Sequence, residues 1–215
     1  IYNMDFLISA MVILLLILWH FLGQKRAEDL NNRVFLFFAV LGTADVVAEF
    51  FTNYYITSYN SDMENAAVIV TTIFYLLQAL LPVTFIFYIQ TLHEQKIISA
   101  KKMFISGVPT LVLISVILTN PFTEKLFSFD VTAGYMKGPW YLLMYVSALG
   151  HFAVALLLIL LWRKKLGPQK EKILLEIFVI SGVGVVLQMF CQSLLMTGFG
   201  MSLGILALFI TINNP

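Results

Sequence analysis

Residues 34–56 read VFLFFAVLGTADVVAEFFTNYYI, and the reading of this stretch decides the class of the protein. It is long enough to cross a bilayer as a helix, since about 20 apolar residues span about 30 Å of hydrocarbon. Yet Asp45 and Glu49 interrupt it. Four residues apart, they share one helical face, and Asn53 continues that stripe one turn further on. A charge at mid-bilayer depth costs about 2.5 to 3.5 kcal/mol on insertion scales. The acidic face is therefore expected to point at protein or water, while Phe35, Phe37, Phe38, Val46, Phe50 and Phe51 carry the helix into lipid. An all-α membrane protein with a polar interior follows.

The rest of the chain has the same character. Of its 215 residues 60% are hydrophobic and 12% charged, against about 25% charged in soluble domains. Short loops and spans of about 20 residues leave room for a seven-helix bundle and for no sizeable soluble domain, so residues 1–215 form one transmembrane domain and no aqueous enzymatic chemistry is expected in it. Cys191 is the only cysteine, which excludes an internal disulfide. The first apolar stretch lacks a basic leader and a small-residue cleavage site, so it is expected to be retained as a span.

The spans fall at about 4–23, 34–56, 66–92, 103–119, 139–162, 173–196 and 199–213, with a tight turn at Gly198 and Gly200 joining the last two. The connections after spans one, three and five hold 11 of the 13 Lys and Arg; only Lys125 and Lys137 fall opposite. By the positive-inside rule the N-terminus lies outside and the C-terminus in the cytoplasm. These basic residues mark a membrane side, so they do not point to a nucleic-acid partner. In the outer loop 120–138, Leu126 to Tyr135 alternates Phe127, Phe129 and Val131 with polar neighbours, then offers Thr132, Ala133 and Gly134 as a turn. That pattern predicts a short hairpin, either a lid over the bundle or an aromatic loop resting on lipid headgroups.

Polar residues inside the spans supply the candidate site. Asp45 and Glu49 fall in the outer half of span two. Gln188 and Gln192 repeat their spacing on span six, which runs in the same direction. Span three contributes Tyr75 and Gln78 on one stripe with Thr71, and span five contributes Tyr141 and Tyr145 on one face with Ser147 and His151 on another. The expected ligand-binding set is Asp45, Glu49, Asn53, Tyr75, Gln78, Tyr141, Tyr145, His151, Gln188 and Gln192. Its plain alternative is mutual hydrogen bonding that pins the helices at about 0.6 kcal/mol per bond, the commoner role for the glutamines and for a buried histidine. Carboxylates are an expensive way to pin helices, which favours a binding role for the two acids. Pro82 removes the hydrogen bond to the carbonyl of Gln78 and is a candidate hinge in span three. The glycines 182, 184, 200 and 204 allow close helix packing or, more sharply, dimerisation.

Several chemistries are excluded by missing groups. No lysine lies between Phe199 and Pro215 to form a retinal Schiff base, and His20, His93 and His151 fall at different depths, so no metal site or other cofactor is expected. The end of span three, Gln90-Thr91-Leu92-His93-Glu94, lacks the acidic-Arg pair of eukaryotic G-protein-coupled receptors. Pro168-Gln169 lies in a basic loop and not inside a span, unlike the Pro-Gln of seven-span sugar transporters.

The order of short motifs Asn120-Pro121-Phe122, Phe127-Ser128-Phe129-Asp130, Gly134-Tyr135, Gly138-Pro139-Trp140-Tyr141 and Asn213-Asn214-Pro215 resembles the seven-span N-terminal input region of bacterial signalling proteins. Membrane diguanylate cyclases are most similar, with the corresponding region of histidine kinases next. The resemblance implies a multi-pass sensor in the bacterial cytoplasmic membrane, surrounded by lipid, that binds an extracellular small molecule and drives a dimeric cytoplasmic output domain following residue 215. The alternative function is a small-solute or proton-coupled transporter that uses Asp45 and Glu49.

Overall fold

The computed structural model describes residues 4–25, 29–94, 100–130, 132–190 and 196–213, of which 94, 100–106, 185, 188, 189, 196, 212 and 213 are described as backbone only. The described residues form seven α-helices and one hairpin: α1 (Asp5–Gly23), α2 (Leu30–Thr57), α3 (Glu64–Glu94), α4 (Ala100–Thr123), β1 (Phe127–Asp130), β2 (Gly134–Lys137), α5 (Leu142–Leu166), α6 (Pro168–Phe190) and α7 (Met196–Leu208). A 3₁₀ turn, Ser61–Met63, precedes α3, and a π-helical turn, Phe209–Asn213, follows α7. Among the described residues, α1, α2, α5 and the segment Ser61–His93 are long and apolar enough to cross a membrane, and 107–123 and 197–211 are shorter apolar helices. Trp19, Leu161 and Phe190 are largely exposed on the outside of the bundle, as expected of side chains that face acyl chains and not water.

Capping and turn chemistry explain why the helices outrun their apolar stretches. α2 starts at Leu30, before Val34, because the Asp29 carboxylate accepts a hydrogen bond from the Asn32 amide at 2.7 Å and so satisfies an orphan N-terminal donor. α6 starts at Pro168, which sits at the first helical position where its missing N–H costs nothing. Lys170 and Lys172 therefore lie in the helix, not in a loop. Gly167 ends α5 with φ of 80° and ψ of 158°, a positive-φ conformation that only glycine adopts without strain. α4 continues through Pro121 to Thr123, beyond the expected end at Thr119. α5 begins at Leu142, not near Pro139, because residues 138–141 are tied to the hairpin base: Gly138 N–H donates to Leu126 O and Trp140 N–H to Lys125 O, both at 2.8 Å.

The predicted turn at Gly198 and Gly200 is not where the chain turns. Both residues lie inside α7, where their missing side chains permit close approach. A Cβ on Gly198 would sit 2.9 Å from Glu49 Oε2, and one on Gly200 would sit 3.5 Å from the Ile180 carbonyl oxygen. Gly204 is similarly close to Ile177, whereas nothing lies within 4 Å of a Cβ on Gly182. For Gly200 and Gly204 the close packing is internal, α6 against α7.

Helices α1, α2, α3, α5, α6 and α7 pack in a closed ring in which α7 meets α6, α1 and α2, and α4 lies against α3 and α5. Two apolar clusters fill the ring. One holds Phe35, Phe38, Phe85, Ile86, Tyr88, Ile89, Ile159 and Leu208, toward the ends where the basic segments lie. The other joins Phe74, Tyr75, Leu113 and Ile117 to the hairpin residues Leu126, Phe127 and Phe129. The hairpin pairs antiparallel, Phe127 with Lys137 and Asp130 with Gly134. Its aromatic face is packed into the bundle, Phe127 being 1% exposed, so these rings do not rest on a lipid surface.

Candidate functional site

Between the two clusters lies a cavity of about 210 Å3 walled by α2, α3, α5, α6, α7 and the hairpin. Its roof is Tyr135 and Lys137 of β2. Its floor includes Phe38 and Phe85, whose ring centroids lie 6.0 Å apart. The helical spacing of the opening stretch explains the α2 wall: Asp45, Glu49, Thr52 and Asn53 recur at three- and four-residue intervals and share one face.

Eight of the ten expected ligand residues line this cavity: Asp45, Glu49, Asn53, Tyr75, Gln78, Tyr141, Tyr145 and His151. Gln192 lies outside the described residues, and Gln188 is described only as backbone within α6. Pro82 also lines the cavity, and α3 runs through it without interruption. Thr71, on the same predicted stripe as Tyr75, is fully buried but stands away from the cavity lining.

Asp45 is 4% exposed and Glu49 2%, and among the described residues no ion pair joins either acid to a lysine or arginine. Among the described residues Asp45 Oδ1 has no hydrogen-bond partner, and neither has Thr52 Oγ1, whose residue lines the same cavity. Buried polar atoms are ordinarily paired, so two unpaired oxygens on one cavity wall mark a place where a partner belongs. Asn53, by contrast, is engaged locally: its amide donates to the Glu49 carbonyl oxygen at 2.8 Å.

The opposite wall is a run of phenols. Tyr75 and Tyr135 hydroxyls are 2.5 Å apart, and the ring centroids of Tyr75 and Tyr141 and of Tyr141 and Tyr145 lie 6.3 and 5.6 Å apart. The run crosses from the hairpin to α3 and then to α5. At its outer end the Lys137 ammonium lies 4.5 Å from the centroid of the Tyr141 ring, and partial burial pushes its pKa below the usual lysine range.

His151 has both ring nitrogens occupied. Nδ1 lies 2.7 Å from the Ser147 carbonyl oxygen, which can only accept, so Nδ1 carries the proton. Nε2 lies 2.8 Å from the Thr110 hydroxyl. The histidine lines the cavity as a structural bridge from α5 to α4, the plainer of its two expected roles.

Thr52, Thr110, Tyr135 and Lys137 escaped the sequence reading. Thr52 could have been found, since it lies seven residues after Asp45 on the acidic face. Tyr135 carried no local signal, because only the docking of the hairpin aims it at Tyr75. No family model matches the chain, and neither a curated protein nor a solved structure matches it.

Proposed function

We propose that the chain is a seven-span sensor domain of a bacterial cytoplasmic membrane, with its N-terminus outside and its C-terminus inside. In this reading the cavity under the hairpin receives an extracellular small molecule, and the bundle passes the change to a cytoplasmic output domain. The carrying observation is the convergence of Asp45, Glu49, Tyr75, Gln78, Tyr141 and Tyr145, from three helices, on one cavity. The resemblance to input regions of diguanylate cyclases and histidine kinases supplies the kind of output. The strong bias of Lys and Arg to one set of connections supports the orientation.

The floor of the cavity favours a sensor over a carrier. A transporter needs polar groups or space continuing to the other side. Below Phe38 and Phe85 lies the larger apolar cluster, where the hydroxyls of Thr43, Thr84 and Thr91 are spent on helix carbonyl oxygens and Gln90 is a buried amide. A ligand here can bias output only through different affinities for two bundle arrangements, and a coupling of about 1 to 3 kcal/mol suffices.

The test is the double substitution Asp45→Asn with Glu49→Gln in the full-length protein. Membrane insertion is expected to persist and the stimulus response of the output domain to disappear. An undiminished response rejects the site, and solute flux into proteoliposomes would instead establish a carrier.

A further inference from the structure

The cavity wall has a specific chemical bias, and we propose that the ligand is a small organic ammonium whose charged head is held by Asp45 and Glu49 and whose body lies among the aromatic rings. This rests on the sensor-site reading above and names its ligand class. Three independent observations converge. Two buried carboxyls lie one turn apart without a basic partner among the described residues. Asp45 Oδ1 and Thr52 Oγ1 are buried oxygens without a partner among the described residues, and both residues line the cavity. Facing them are the rings of Phe74, Tyr75, Tyr141, Tyr145, Phe152 and Phe178.

The alternatives fit less well. An anionic ligand would meet two carboxyls with only Lys137, at the roof, to oppose them, and that ammonium already sits on Tyr141. A neutral apolar ligand would fill the space but leave Asp45 Oδ1 desolvated and unpaired, a cost that charge-assisted hydrogen bonding from an ammonium removes. A bare metal ion would want more oxygen ligands, and among the described residues no group of three His, Cys, Asp or Glu is assembled. An ammonium with an apolar body uses both halves of the wall, because aromatic faces attract cations as carboxylates do.

The probe is phenethylamine, with 2-phenylethanol and 3-phenylpropionate as neutral and anionic analogues of similar shape and sodium and calcium chloride as inorganic competitors. Equilibrium binding is measured on the full-length protein in lipid nanodiscs. Saturable amine binding is expected, with both analogues weaker by about tenfold or more, and Asp45→Asn is expected to weaken the amine by a similar factor while leaving the alcohol unchanged. Equal binding of the alcohol, displacement by either salt at matched ionic strength, or absence of saturable amine binding overturns the proposal. Tyr145→Cys in a Cys191→Ser background, labelled on intact cells with a membrane-impermeant maleimide, separates the two levels of inference. Labelling without amine binding rejects the ammonium but keeps an outward-facing site. Amine binding without labelling from outside rejects the outward orientation and keeps the ligand class.

Discussion

His151 and Asp130 show how single side chains in this protein are fixed by their partners. Among the described residues the Thr110 hydroxyl is the partner of His151 Nε2, while Nδ1 is committed to the Ser147 carbonyl. Thr110→Val keeps the shape and removes the donor, so it is expected to lower stability by about 0.6 to 1.7 kcal/mol, read from thermal unfolding in nanodiscs; an unchanged melt would deny the bridge. Asp130 lies at the hairpin turn, where Oδ1 accepts from the Thr132 hydroxyl and from the amides of Thr132 and Ala133. These bonds, the hydroxyl first, hold its pKa below the usual value of 3.8. A carboxyl lowered in the folded state stabilises the turn fully above its unfolded pKa and loses that contribution as pH falls through the folded one. The Thr132 amide resonance is therefore expected to titrate below pH 3.8, and a midpoint at or above that value would remove the argument. The Asp130 turn is local and within reach of a sequence reading, whereas the Thr110 partnership is not. His151 was legible as a buried histidine, but Thr110 is 41 residues away and nothing in its own surroundings points to α5.

At the scale of elements, the hairpin was legible and its anchorage was not. Alternation of Phe127 and Phe129 with polar neighbours, followed by Thr-Ala-Gly, is local information, and the strands formed where that pattern lies. Helix ends were less legible because apolar content marks the hydrocarbon, whereas Asp29, Gly167 and Pro168 mark the ends themselves. What fastens the hairpin is Asn120, 1% exposed on the last turns of α4. Its carbonyl oxygen accepts from the amides of Leu126 and Phe127, and its amide donates to Phe127 O at 2.9 Å. Asn120→Leu strips all three bonds and leaves buried backbone groups unpaired, at about 1 to 3 kcal/mol each when not rehydrated. Faster hydrogen exchange across 126–137 with α2 and α3 unaffected is the expected result. Gly138 closes the same base, where a Cβ would lie 2.3 Å from the Lys125 carbonyl oxygen. Gly138→Ala must therefore displace backbone and is expected to loosen the hairpin, whereas Gly150→Ala, with nothing within 4 Å of its Cβ, should not. Equal protection in the two alanine variants would show that the hairpin is held elsewhere.

For the whole molecule, the position of α7 sets how the cavity is joined to the rest of the bundle. α7 touches α1, α2 and α6, and it meets α2 at two glycines whose absent side chains bring the helices together. A Cβ on Gly42 would lie 2.9 Å from Ile205 Cδ1, and one on Gly198 would lie 2.9 Å from Glu49 Oε2. The Glu49 carboxyl thus lies between the cavity and α7, so a ligand that moves it presses on the last helix directly. Closely packed interfaces respond to such pressure by shifting between arrangements and not by stretching. Gly198→Ala adds one methyl group against the Glu49 carboxyl at that contact and changes no charge. It is expected to mimic part of the displacement and to change the ligand-free output of the full-length protein by about fivefold or more, the lower end of ordinary allosteric coupling. Gly182→Ala adds the same methyl on α6 where nothing lies within 4 Å and should leave output at the wild-type level. If the two variants signal alike, the route from Glu49 to the last helix is wrong, although the cavity and its carboxyls would stand. If Gly198→Ala alone shifts the baseline, the contact between α2 and α7 is the coupling element.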